Sequence, residues 1–167
     1  MDTRQTSEAT DSMDKVSVVR KSDHELVVIR TFHGPARLVF EAWTTPDLLK
    51  RWWMPKSCGV SFVSCEIDAR TGGKYRFEFG LPSSDQTMAF FGRYIEVTPY
   101  SRLVWTNEEG GEGGAVTTVT FEERGEQTLV TYHDRHPSKE SLDEAIESGS
   151  TTGFGESFAQ LDELLAQ

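Results

Sequence analysis

The run His133-Asp134-Arg135-His136 is the densest group of proton-exchanging side chains in this 167-residue chain, and its residue types could serve as an acid/base pair or as metal ligands. Spacing argues against convergence. Successive side chains of a strand point to opposite faces, so His133 and Asp134 diverge, and no set of three or four ligands at metal-binding spacing accompanies them. The run reads as a solvated strand end, with only the direction of Asp134 relative to the interior left open. Nucleophilic catalysis has no better footing: the chain lacks a Gly-x-Ser-x-Gly elbow and a Gly-x-x-x-x-Gly-Lys phosphate loop. Gly110 to Gly114 is glycine-rich, but Glu108, Glu109 and Glu112 beside it would repel phosphate, and it reads as a hairpin tip. No metal and no cofactor are expected.

Aromatic side chains form the second group. Tyr75, Phe77 and Phe79 share one face of a strand, Trp105 falls in phase with Leu103, Phe121 with Val119, and Tyr132 with Val130. These would meet Phe154 and Phe158 of a C-terminal helix across the interior. Three of the four tryptophans, Trp43, Trp52 and Trp53, lie within eleven residues. Such a set either packs as a solid core or walls a cavity. Trp52 and Trp53 are expected at the cavity wall and Trp43 in the core. Along Thr87–Val97, Phe90 and Tyr94 lie on one side and Phe91, Arg93, Ile95 and Val97 on the other. We assign Phe91 inward and Arg93 outward, since an unpaired arginine is rarely buried.

The elements that must position these residues follow from periodicity. Residues 1–15 are polar and read as a disordered tail, followed by a single domain over 16–167. Val16 to Ile29 is β-rich and forms either one kinked strand or a hairpin. Gly34-Pro35 and Thr45-Pro46 each open a short amphipathic helix, with Thr45 as the capping residue of the second. Six strands follow near 60–68, 74–79, 87–97, 102–107, 115–122 and 128–134, and their short links imply an antiparallel meander. One long helix covers Ser138–Gln167, with Phe154, Phe158, Leu161 and Leu165 as its apolar stripe. Gly149 and Gly153 interrupt it, either for close packing or to widen a pocket. The fold class is α+β, with about seven strands.

Composition excludes other roles. A net charge of −10 disfavours nucleic acid and anionic lipid surfaces, and no apolar run is long enough to span a membrane. The N-terminal residues lack an apolar signal core, so a cytoplasmic location is expected. Cys58 and Cys65 are expected to stay unbridged.

Several segments carry a family resemblance when taken in order: Val28-Ile29-Arg30-Thr31-Phe32, Gly34-Pro35, Val39 to Thr44 and Leu49 to Pro55; then Gly72 to Phe77, Gly92 to Val97, Arg102 to Thr106, and Ser148-Gly149 with Gly153-Phe154 through Leu161. They are similar to the family named for the activator of heat shock protein 90 ATPase, within the START-like, or SRPBCC, superfamily. The resemblance runs from about residue 16 to the end. It implies a helix-grip fold, in which a curved antiparallel sheet wraps a long C-terminal helix over a cavity. The chain differs from many relatives in carrying Phe154 after the helix glycine and Asp134 at the end of the last strand.

The resemblance implies binding of a small hydrophobic, aromatic or lipid-like molecule rather than catalysis. The expected lining is Trp52, Trp53, Tyr75, Phe77, Phe79, Phe91, Trp105, Phe121, Tyr132, Phe154 and Phe158. A cyclase or hydratase on the same scaffold is the alternative, with Glu96, Asp134 or Tyr132 exchanging a proton. The family name also raises a chaperone ATPase partner and a link to stress response. Oligomeric state does not follow from the sequence.

Overall fold

The computed structural model describes residues 16–82, 84–108, 113–147 and 153–166. The expected tail at 1–15 lies outside them. The first β-rich segment is a hairpin, β1 (Ser17–Arg20) and β2 (Glu25–Phe32), paired from Ser17↔Ile29 to Arg20↔Leu26. That makes eight strands where about seven were expected. β2 alternates strictly, burying Leu26, Val28, Arg30 and Phe32.

Two short helices follow, α1 (Ala36–Thr44) and α2 (Pro46–Leu49). The α1 face formed by Ala36, Val39, Phe40, Ala42 and Trp43 is buried, and the Ala36 amide donates to Glu123 Oε1 at 3.0 Å, which sets a carboxylate at the positive end of the helix. Thr45 does not cap α2 through its side chain as expected; its carbonyl accepts the Leu48 and Leu49 amides instead.

The remaining strands are β3 (Ser61–Ile67), β4 (Lys74–Gly80), β5 (Thr87–Thr98), β6 (Arg102–Thr106), β7 (Val116–Arg124) and β8 (Gln127–Arg135). All pair antiparallel in one sheet of order β1-β2-β8-β7-β6-β5-β4-β3. Curvature concentrates in β5. Its first half pairs with β4 up to Lys74↔Arg93, its second with β6 from Tyr94↔Trp105, and the register shifts between Tyr94 and Glu96. Gly92 sits at that junction, where an added Cβ would lie 2.1 Å from the Thr106 carbonyl oxygen. A bulge beside a glycine that admits a neighbouring backbone is a means of bending a sheet.

The C-terminal segment forms two helices rather than the single one expected: α3 (Lys139–Glu147) and α4 (Phe154–Leu165). The Ser141 amide donates to Ser138 Oγ at 3.1 Å, an N-terminal cap for α3. Gly153 is the N-cap of α4, so a new helix starts there. A Cβ there would approach Pro55 Cγ at 3.2 Å, tight enough that Pro55 would have to shift by a few tenths of an ångström, and Gly153 also borders a cavity in the interior. Gly149 lies outside the described residues. Cys58 and Cys65 are both free thiols.

Helix α4 is tied down along its length. Arg30, buried in β2, donates to the Phe158 carbonyl at 2.6 Å and pairs with Asp162 at 3.4 Å. Gln160, 8% exposed, spans three backbone groups of the irregular stretch after α2: its Nε2 donates to the carbonyls of Trp52 at 3.1 Å and Met54 at 2.9 Å, and its Oε1 accepts the Lys56 amide at 2.9 Å. Ser157 Oγ donates to the Trp53 carbonyl at 3.0 Å, and Glu156 accepts from the Ser57 amide and hydroxyl. Side chains of one helix thereby satisfy a segment that has no ladder of its own.

Two substitutions test this frame by chemical denaturation. Gly92→Ala drives a methyl into the Thr106 carbonyl and is expected to cost on the order of 2–4 kcal/mol. Gln160→Leu keeps the volume but orphans two carbonyls and one amide, and is expected to cost about 3 kcal/mol. A loss below about 1 kcal/mol in either case would contradict the corresponding account.

Candidate functional site

The concave side of the sheet does not close on α4 as a solid core. A cavity of about 690 Å³ lies between the sheet, the α1–α2 region and the C-terminal helices. That is within the range of small-molecule sites and equals the room of about twenty water molecules. All four tryptophans border it: Trp43 from α1, Trp52 and Trp53 from the stretch after α2, and Trp105 from β6.

Eight of the eleven expected residues meet at this cavity: Trp52, Trp53, Tyr75, Phe77, Trp105, Tyr132, Phe154 and Phe158. Their rings contact one another mostly edge to face, as in Trp53–Phe77 at 5.7 Å, Trp105–Tyr132 at 6.2 Å and Tyr132–Phe154 at 5.1 Å between centroids. The polar ends of Trp52 and Tyr75 are satisfied at the wall. Trp52 Nε1 donates to the Ala42 carbonyl at 2.9 Å, and Tyr75 Oη donates to the Thr106 carbonyl at 2.6 Å.

Three expected residues lie elsewhere. Phe79 is fully buried against Phe62 and Phe90, and Phe121 packs between Phe40 and Trp43 behind the cavity. Phe91 is 40% exposed on the outer face, and Phe90 takes the inward place assigned to it. The irregularity between Tyr94 and Glu96 explains the error. It puts Val97 in the core although Val97 and Phe91 have the same parity in the sequence. Arg93 is outward, as assigned, and pairs with Glu108 at 2.9 Å. Glu96 is outward as well, pairing with Arg102 at 3.2 Å. Trp43, assigned to the core, is 2% exposed yet borders the cavity.

The polar end of the cavity comes from the cluster read as a solvated strand end. His133 faces away and bonds Glu25 at 2.7 Å, while Asp134 and His136 line the cavity together with Asn107, Ser141 and Glu144. The sequence reading treated the end of β8 as free, whereas α3 folds over it. Asp134 accepts a hydrogen bond from Thr117 Oγ1, whose strand stands directly opposite. Asn107 spends its amide protons on the Ala115 carbonyl at 2.9 Å and Thr117 Oγ1 at 3.0 Å. Desolvation by burial outweighs the Thr117 bond, raising the Asp134 carboxyl from 3.8 to about 6. Burial also lowers the His136 imidazole below its ordinary value. His136 Nδ1 lies 3.0 Å from Ser141 Oγ. Among the described residues no group of three or more His, Cys, Asp or Glu could hold a metal ion, and no helix is long and apolar enough to cross a membrane.

A raised acid has a definite effect on stability. Asp134 costs nothing while both folded and unfolded states are protonated, below about pH 4. The cost grows as only the unfolded state ionises and is complete above pH 6. Asp134→Asn can still accept from Thr117, so it is expected to stabilise the protein by roughly 1–3 kcal/mol at pH 7.5. The gain should vanish toward pH 3.5; a gain independent of pH in thermal melts would refute the assignment.

With this geometry in place, comparison with known proteins gives the lineage. Residues 33–166 match the family model described as Activator of Hsp90 ATPase homolog 1-like protein. A solved structure from Rhodobacter sphaeroides superposes with a TM-score of 0.83 at 22% identity, covering 91% of this chain and 98% of that one. One from Nitrosomonas europaea gives 0.78 at 26% identity, with 89% and 97% covered. An AHSA1-like protein from Aeromonas hydrophila gives 0.70 at 16% identity, with 84% and 93% covered. No match was found among curated proteins. The chain belongs to the Activator of Hsp90 ATPase homolog 1-like family and carries its START-like helix-grip fold.

Proposed function

We propose that this protein binds a small, largely hydrophobic molecule in the cavity between the sheet and the C-terminal helices. The supporting observation is the 690 Å³ space lined by four tryptophans and further aromatic rings, with its polar groups gathered at one end. A core that needed only to be stable would close such a space, because each unfilled region forfeits contacts. The START-like superfamily commonly uses this region for hydrophobic ligands, which agrees with the shape.

A second reading draws on Asp134. A carboxyl held near 6 beside a cavity is poised to give or take a proton near neutral pH, as a cyclase or hydratase would require. It presupposes the same ligand, so binding is the first question.

Phenylnaphthylamine, a neutral apolar fluorophore, is a suitable probe. Saturable one-to-one binding with quenching of the indole emission is expected, together with a rise in melting temperature. Ala145→Trp, on the α3 side of the cavity, should weaken binding by about tenfold or more by filling the space. Absence of saturable binding, or equal binding by the filled variant, would refute the proposal.

A further inference from the structure

The charge of the cavity limits what it can hold, an inference that rests on the binding role proposed above. Two carboxylates, Asp134 and the exposed rim residue Glu144, line it, and among the described residues no lysine or arginine does. His136 is the remaining titratable group at that end, and burial drives it toward the neutral form. A fatty acid or other anion would therefore meet negative charge at the mouth and no countercharge within, which is the situation that rejects a ligand most strongly.

Asp134 is also placed among rings. Trp105, Thr117 and Asp134 stand opposite one another across β6, β7 and β8. Tyr132, two residues before Asp134 on the same strand, bridges Trp105 and Phe154 by ring contacts. A carboxylate beside several aromatic groups suits an organic cation, through charge pairing and attraction to ring faces.

We propose that the cavity takes an organic amine. Its ammonium pairs with Asp134, with Glu144 at the rim, and its apolar body lies against Trp52, Trp53 and Phe158.

Calorimetry with naphthylethylamine, naphthylethanol and naphthylacetate tests the charge preference on one apolar body. At pH 7.5 the amine is expected to bind about tenfold tighter than the carboxylate, with the alcohol between them. The preference should shrink at pH 5, as Asp134 takes up its proton, and be lost in Asp134→Asn. Asp134 stands opposite Leu26 on β2 and Thr117 on β7, His133 beside it on β8 acts on it electrostatically, and His136 and Glu144 line the same cavity, so Glu144→Gln should reduce the preference by less. Equal affinities for all three probes would overturn the amine assignment and leave the cavity reading standing. No saturable binding by any of them would overturn both.

Discussion

The structure depends on a problem of backbone accounting. Between α2 and β3 the chain must leave helical geometry and turn beneath α4, and in doing so it exposes carbonyls and amides that no strand or helix satisfies. Gln160, Ser157 and Glu156 meet that demand from one face of α4. Buried polar backbone tolerates few alternatives, so this set fixes α4 against the sheet and fixes Trp52 and Trp53 at the cavity wall. The Arg30 bond to the Phe158 carbonyl holds α4 to β2 from another side.

The cavity is walled by aromatic side chains, which supply much of the apolar surface that holds the domain together. The concave face of the sheet is not filled by α4 alone, and rings in edge-to-face contact line the space that remains. The single carboxyl at the end of β8 inherits its unusual environment from that geometry rather than from any neighbouring charge, since desolvation is the leading cause of its shift.

Much of this was legible in the sequence, for physical reasons that differ by element. Strand positions within a residue or two followed from period-two patterning and glycine turns, and α1 and α2 from the proline starts. Six of the lining residues followed from strand parity and the helical stripe, Trp52 and Trp53 from their place in the tryptophan-rich run, and the expectation of a cavity from the family resemblance. Parity failed at Phe91 because a one-residue irregularity reverses faces beyond it and leaves no signature in residue type. The direction of Asp134 stayed open and His136 was read as solvated, because a polar strand end looks the same whether solvent or a helix covers it. The pairing of Gln160 with the stretch after Trp52 is a contact across more than a hundred residues that no local pattern announces.

The position of β2 within the sheet constrains how the chain can acquire its structure. β2 lies between β1 and β8, and its pairing with β8 runs from Phe32↔Thr128 to Glu25↔Arg135. During synthesis at 5–20 residues per second, the interval between completing β2 and completing β8 is about 5–20 s. Throughout that time β2 has one unsatisfied edge, on the side away from β1. The meander from β3 to β8 can assemble by local pairing as it emerges, so the N-terminal hairpin is joined last, by a long-range closure that gives the fold a high contact order. The nascent protein therefore carries an open strand edge longest at its own beginning, where capture by another chain would compete with the final step of folding.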